Sequence, residues 1–117
     1  IVNMSSIMGV ISQREPILQG YTSSKHATIG LTKAAALQYA KSNIRVNALC
    51  PGVTRSPMVD AAMAMSDAIR EALSNYAPLR GVAEPGEIAE CAIWLCSDKS
   101  SFVTGHALVA DGGYTAQ

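Results

Sequence analysis

No stretch of this 117-residue chain is long and apolar enough to cross a bilayer, and the residues from Ile1 onward lack the basic-then-apolar pattern of a signal peptide. Excess charge of either sign is missing too. Nine basic residues meet nine acidic ones, which removes the electrostatic footprint of a nucleic-acid or anionic-membrane partner. There is no Cys-x-x-Cys pair. Cys50, Cys91 and Cys96 are odd in number, so they imply neither a disulfide framework nor a metal site; buried thiols in a reducing, cytoplasmic setting are the expectation. Internal repeats and low-complexity segments are absent. So is an initiator methionine: the chain begins at Ile1, inside what reads as a strand, and a fragment is expected.

The composition is apolar and weakly charged, 49 % against 15 %, sufficient for one domain with one core. Ile1 to Ser6 reads as a β-branched strand running into a loop, and Pro16 and Gly20 punctuate the segment beyond it. From Tyr21 to about Ala40 the pattern turns helical, with Ile29, Leu31, Ala34, Ala35 and Leu37 as its apolar stripe. Ala27, Gly30 and Ala34 to Ala36 are small enough for another backbone to approach. Ile44 to Cys50 is a second strand, ended by Pro51-Gly52. Met58 to about Tyr76 reads as one or two helices, with Met58, Met63 and Met65 forming either core or a pliable lid. Pro85 opens a further helix with Glu84, Glu87 and Glu90 near its N-terminus, where the macrodipole favours them. Its expected buried face is Ile88, Cys91, Ala92, Leu95 and Cys96, with Trp94 at the edge. Ala107 to Ala110 is the third strand, closed by Asp111-Gly112-Gly113, which reads as a turn and not a metal site. His26 and His106 read as packing or surface residues. Strands alternating with helices imply right-handed crossovers and a parallel sheet, hence the α/β class. The first strand would leave an apolar sheet edge open.

The chemistry gathers at one end of that sheet. Tyr21 and Lys25 are four residues apart, so on a helix a phenol and an ammonium project from one face. A nearby cation favours the phenolate, a condition for general acid–base work. Taken alone, the pair reads as a surface helix pair. However, the first strand delivers Ser6 at its C-terminal end, where open α/β sheets bind ligands, and Pro51-Gly52 ends the neighbouring strand at the same edge.

With these residues in view, the chain resembles the classical branch of the short-chain dehydrogenase/reductase family. The matching stretches are Asn3-Met4-Ser5-Ser6 with Gly9, Tyr21-x-x-x-Lys25, Ile44-Arg45-Val46-Asn47, Pro51-Gly52 with Thr54 and Ser56, Pro85-x-Glu87-Ile88-Ala89, and Ser97-Asp98 through Thr104-Gly105 to Asp111-Gly112-Gly113. They cover nearly the whole chain in the family's order. The resemblance implies a partial Rossmann-like three-layer sandwich, the last three strands of a doubly wound sheet, with residues 1–117 as the C-terminal catalytic and substrate-binding portion. It implies Tyr21 as the acid or base at the substrate oxygen. Lys25 would assist it and hold the ribose of NAD or NADP. Ser6, with Ser5 as rival, would hydrogen-bond the substrate oxygen. Pro51, Gly52 and Thr54 would line the nicotinamide, and Ser56 would stand at its carboxamide. The partners implied are a small alcohol or ketone, with no nucleic acid and no membrane, and a second copy of the chain in a homodimer or homotetramer.

Three family features are missing from these residues: the glycine-rich pyrophosphate turn, the residue that chooses between NAD and NADP, and the asparagine of the proton relay. The expectation is an alcohol dehydrogenase or carbonyl reductase that is inactive as this fragment alone. A non-enzymatic assembly module is the alternative. The extended epimerase branch, which shares the Tyr–Lys pair, is disfavoured by the Ser97 to Gly113 ending. Apolar residues from Val53 to Leu79 point to a hydrophobic substrate.

Overall fold

A computed structural model describes residues 1–13 and 18–117. The punctuation expected at Pro16 lies outside them. Three parallel strands, β1 (Val2–Met4), β2 (Asn47–Pro51) and β3 (Ala107–Ala110), pair in the order β1-β2-β3. The helices are α1 (Gln19–Tyr39), α2 (Pro57–Met65), α3 (Asp67–Ser74) and α4 (Pro85–Cys96). The second strand is shorter and later than the apolar run suggested: the Arg45 carbonyl accepts from the Ile1 N-terminus at 2.7 Å, whereas the Val46 N–H donates to Thr104 Oγ1 and its carbonyl accepts from the Gly105 N–H, ahead of β3.

Register decides which residues meet. Asn3, Ala48 and Ala107 are cross-strand partners and share one face. On that face Ile29 of α1 packs against Ala48 and Cys50, with Ala107 and Val109 beside them. Asn3 Nδ2 donates to Thr32 Oγ1 at 2.9 Å, tying α1 to β1. Alternation turns Asn47 and Leu49 to the opposite face. There α4 contacts β1 and β2, and Leu95 is buried. α1 and α4 therefore cover opposite faces and complete three layers. Both crossovers step the same way across the sheet yet run over different faces, so they have opposite hands. Only one obeys the right-handed rule expected from the sequence. The β2-to-β3 connection carries α2 and α3 as well, so its hand is not imposed by one strand twist feeding one helix.

Two expectations about side chains are corrected and one open alternative is narrowed. The buried face of α1 is Ile29, Thr32 and Ala36, whereas Leu31 and Leu37 are 66 % and 83 % exposed. A 3.6-residue period fits both stripes, and only the contact with the sheet chooses between them. Cys50 is buried, but Cys91 is half-buried and Cys96 is exposed. Burial pushes the Cys50 thiol up, against the smaller lowering effects of Ser5, Ser6 and Lys25, so it stays neutral and inert. Of the two readings left open for Met58, Met63 and Met65, core or lid, the exposure of Met58 and Met65 removes the core one. The N-terminus of α4 matches its sequence signature: Pro85 is in the first turn, and the Glu87 carboxylate accepts from the Glu84 N–H at 2.9 Å.

The C-terminus of α4 is closed by the residues that lead into β2 and begin it. The Arg45 guanidinium donates to the carbonyls of Leu95 (2.9 Å), Ser97 (3.0 Å) and Val103 (3.3 Å). Two of these belong to the last turn of α4 and its cap, where carbonyls lack intrahelical partners. Asn47 continues the clamp: its Nδ2 donates to the Val103 carbonyl at 2.8 Å, and its Oδ1 accepts from the His106 N–H at 3.0 Å. Arg45→Met keeps most of the apolar stem and removes all three charge-assisted bonds. It is expected to lower unfolding free energy by about 2–3 kcal/mol. A urea midpoint equal to that of the unchanged protein would show that the clamp contributes nothing.

Candidate active site

A cavity of about 620 Å³ opens where β1 and β2 end, and Ser6, Tyr21, Gly52, Thr54 and Ser56 all line it. Apolar walls come from Ile7, Met8 and Leu18 on one side and Val53, Met58 and Val59 on the other. Its size lies in the range of small-molecule sites.

Ser6 leaves β1 with an extended backbone and starts the short 3-10 turn Ile7–Gly9, and its Oγ accepts from the Met8 N–H at 3.2 Å. That bond uses the oxygen and leaves the O–H hydrogen to donate. Ser5 points the other way: its Oγ donates to the Lys25 carbonyl at 3.0 Å, beneath α1. The rivalry between the two serines is thus one of direction, with Ser6 on the cavity and Ser5 on the helix. Gly9 permits this arrangement. A Cβ there would come within 2.6 Å of Ser5 Oγ and 2.8 Å of both the Lys25 carbonyl and Ile29 Cδ1. A side chain would therefore push α1 off the β1 loop.

α1 then presents Tyr21 at the cavity and Lys25 one turn later. Lys25 Nζ sits 5.4 Å from the centre of the Tyr21 ring and donates to the Met4 carbonyl at 3.2 Å. Lys25 does not line the cavity; it stands behind Tyr21 against the end of β1. Such a cation–ring contact is favourable in itself and limits the positions both side chains adopt.

The end of β2 supplies the facing wall. Pro51 is the last strand residue and lies outside the cavity lining. Gly52 donates its N–H to the Ala110 carbonyl at 3.0 Å, and a Cβ there would meet Asp111 Cα and Cβ at 3.0 Å. Thr54 Oγ1 donates to the Gly52 carbonyl at 3.3 Å, and a backbone bridge joins Thr54 to Ala83. Ser56 caps α2, its Oγ accepting from the Val59 N–H at 3.3 Å. His26 and His106 are both exposed. Among the described residues no cluster of His, Cys, Asp and Glu could hold a metal ion.

The family model described as enoyl-(acyl carrier protein) reductase matches residues 1–115. The chain belongs to the short-chain dehydrogenase/reductase family. It is 50 % identical over 115 residues to the A-factor type gamma-butyrolactone 1'-reductase (1S-forming) of Streptomyces virginiae, covering 98 % of this chain and 44 % of that protein. It is 47 % identical over 116 residues to a 2,5-dichloro-2,5-cyclohexadiene-1,4-diol dehydrogenase of Sphingobium indicum, covering 99 % and 46 %. Among solved structures, 4-hydroxyisoleucine dehydrogenase complexed with NADH superposes with a TM-score of 0.89 at 38 % identity, covering 100 % of this chain and 47 % of that one. The chain spans less than half the length of these relatives.

In this short-chain dehydrogenase/reductase chain, sequence reasoning missed three residues near the cavity: Gln13, Tyr76 and Tyr114. Gln13 Nε2 donates to both phenol oxygens across 63 and 101 residues of chain. No local pattern marks such a contact. It also missed what Asp111 does. Its Oδ1 accepts from the Gly113 N–H (3.0 Å) and its Oδ2 from the Thr115 N–H (2.8 Å), fixing the turn through Gly112 and Gly113, both at positive φ. Burial works to raise the Asp111 carboxyl, but hydrogen bonds from Thr115 and Gly113 outweigh it and hold it below the usual carboxylate range. A carboxyl depressed in the folded state adds stability that is complete above its unfolded value, about 4, and is lost as pH falls through the lower folded value. The stability difference between the unchanged protein and Asp111→Asn should therefore be largest near neutral pH and shrink on acidification. A difference independent of pH in denaturant titrations would contradict this.

Proposed function

We propose that this chain is the catalytic and substrate-binding part of an NAD(P)-dependent oxidoreductase that interconverts a secondary alcohol and a ketone. The observation that carries the reading is the meeting of Ser6 and Tyr21 on one cavity with Lys25 directly behind the tyrosine. Two relatives named a reductase and a dehydrogenase, and solved neighbours described with NADH or NADP bound, support it.

The strand-end residues fit a nicotinamide ring: Gly52, Thr54 and Ser56 share the cavity with Tyr21, and each offers a backbone or hydroxyl group of hydrogen-bonding size. When bound, the nicotinamide supplies or accepts the hydride. The protein's part is positioning and proton transfer. Tyr21 gives its phenolic proton to the substrate oxygen in reduction and takes it back in oxidation. Lys25 steadies the Tyr21 ring from behind, and its ammonium would hold the ribose hydroxyls of the bound cofactor. Ser6 donates its O–H to the same substrate oxygen as charge develops there. Ser56 serves the carboxamide. No glycine-rich turn for the pyrophosphate occurs in these 117 residues, so on their own they hold the dinucleotide weakly and turn over little.

Tyr21→Phe in the full-length protein is expected to cut nicotinamide-linked reduction of a ketone by about 10²–10⁴-fold. A rate near that of the unchanged protein would remove Tyr21 from the mechanism.

The outer face of α1 favours an assembly role beside catalysis. Leu31 and Leu37 stand exposed on a helix whose neighbouring positions are small, so a second copy could pack there in a homodimer or homotetramer. Leu37→Glu should then shift the protein toward monomer in size-exclusion chromatography. An unchanged elution volume argues against this face. A protein that assembles but shows neither turnover nor nicotinamide fluorescence change would instead favour a non-catalytic module.

A further inference from the structure

Tyr76 and Tyr114 stack at the cavity rim with ring centroids 4.2 Å apart and 3° between planes. Gln13 joins them, its Nε2 donating to the Tyr76 oxygen at 3.1 Å and to the Tyr114 oxygen at 2.9 Å. A primary amide has two N–H hydrogens, and both are used here, one on each phenol. Each phenol oxygen is therefore an acceptor and keeps its own O–H hydrogen. At most one of those hydrogens can be spent on the neighbouring phenol. Tyr76 and Gln13 line the cavity itself, whereas Tyr114 stands behind them.

We propose that Tyr76, oriented by Gln13 and Tyr114, is a specificity-determining residue that donates a hydrogen bond to a second, uncharged oxygen of the substrate, such as a carbonyl, ester or ether oxygen. This rests on the oxidoreductase reading, with the reacting carbon near Ser6 and Tyr21. Stacking fixes the Tyr76 ring, and its hydroxyl hydrogen can turn either to the Tyr114 oxygen or toward the cavity, where among the described residues no acceptor holds it. Burial first, and Tyr114 beside it, push the Tyr76 phenol up to about 12, so it stays a neutral donor at working pH. The described lining contains no Lys, Arg, His, Asp or Glu. Against the described lining a carboxylate or phosphate would lose water without gaining a counter-charge, whereas a neutral oxygen needs only one donor. A site built to hydrogen-bond an oxygen also discriminates against an analogue without it, because its own donor is left unpaired. The ligand class is therefore an apolar ketone or alcohol with a second neutral oxygen.

Tyr76→Phe keeps the ring and the stack and removes only the hydroxyl. The test uses the full-length protein and two hydrophobic ketones of one skeleton, one with the second oxygen and one with a methylene in its place. For the oxygen-bearing ketone, KM and the calorimetric Kd should each rise about tenfold in Tyr76→Phe, with kcat unchanged. The methylene analogue should be unaffected. An equal change on both ketones would mean that Tyr76 only braces the fold, and no change on either would mean that its hydroxyl meets no substrate; both outcomes overturn the proposal. Tyr114→Phe adds a second check, since weakened orientation should move KM in the same direction by less. If the unchanged protein binds and turns over neither ketone, the oxidoreductase reading fails and takes this inference with it. Turnover without discrimination overturns this inference alone.

Discussion

The contact between the start of α1 and the end of β1 governs the geometry of the whole site. Ser5 Oγ donates to the Lys25 carbonyl, Lys25 Nζ donates to the Met4 carbonyl, and Gly9 leaves the room in which both bonds form. The helix is thereby held to the loop at two successive residues of the strand end. Ser6 follows Ser5 and must point the opposite way, into the cavity. Tyr21 precedes Lys25 by one helical turn and must lie above it. A change that lifted α1 by even a methyl group would separate the hydroxyl of Ser6 from the phenol of Tyr21, because one rigid contact sets both.

The central strand β2 serves both layers. Ala48 and Cys50 carry no large side chain, which lets Ile29 and the rest of α1 come close. On the other face Asn47, with Arg45 just before the strand, holds the carbonyls at the end of α4 and the approach to β3. Polar groups buried there are all partnered among the described residues, as a low-dielectric interior requires. The strand end at Pro51-Gly52 is therefore fixed from both sides, and the Asp111 turn packs against Gly52 where β3 stops. The side chains of the candidate site sit at one rim of a small, well-clamped sheet.

Much of this was legible in the linear pattern. The βαβ order, the ends of β2 and α4, and the Tyr21–Lys25 spacing come from local rules: β-branched runs, Pro and Gly punctuation, and four-residue helical periodicity. Less legible was anything that depends on which side of an element meets its neighbour. Leu31 and Leu37 looked like core because they recur at helical spacing, yet Thr32 and Ala36 face the sheet. Small or hydroxyl-bearing side chains fit under a closely packed helix where leucine does not. Cys96 looked buried by the same periodicity and is exposed beside a helix end.

The sequence by itself determined the class of fold, the family resemblance and the pair Tyr21 and Lys25, because each is written in residues near one another along the chain. Only the tertiary structure decided that Ser6 and not Ser5 faces the cavity, that the two crossovers differ in hand, and that Gln13, Tyr76 and Tyr114 form one rim. These outcomes depend on contacts between residues far apart in sequence. Such contacts are selected by packing and by the directions of hydrogen bonds, neither of which leaves a period or a motif in the chain.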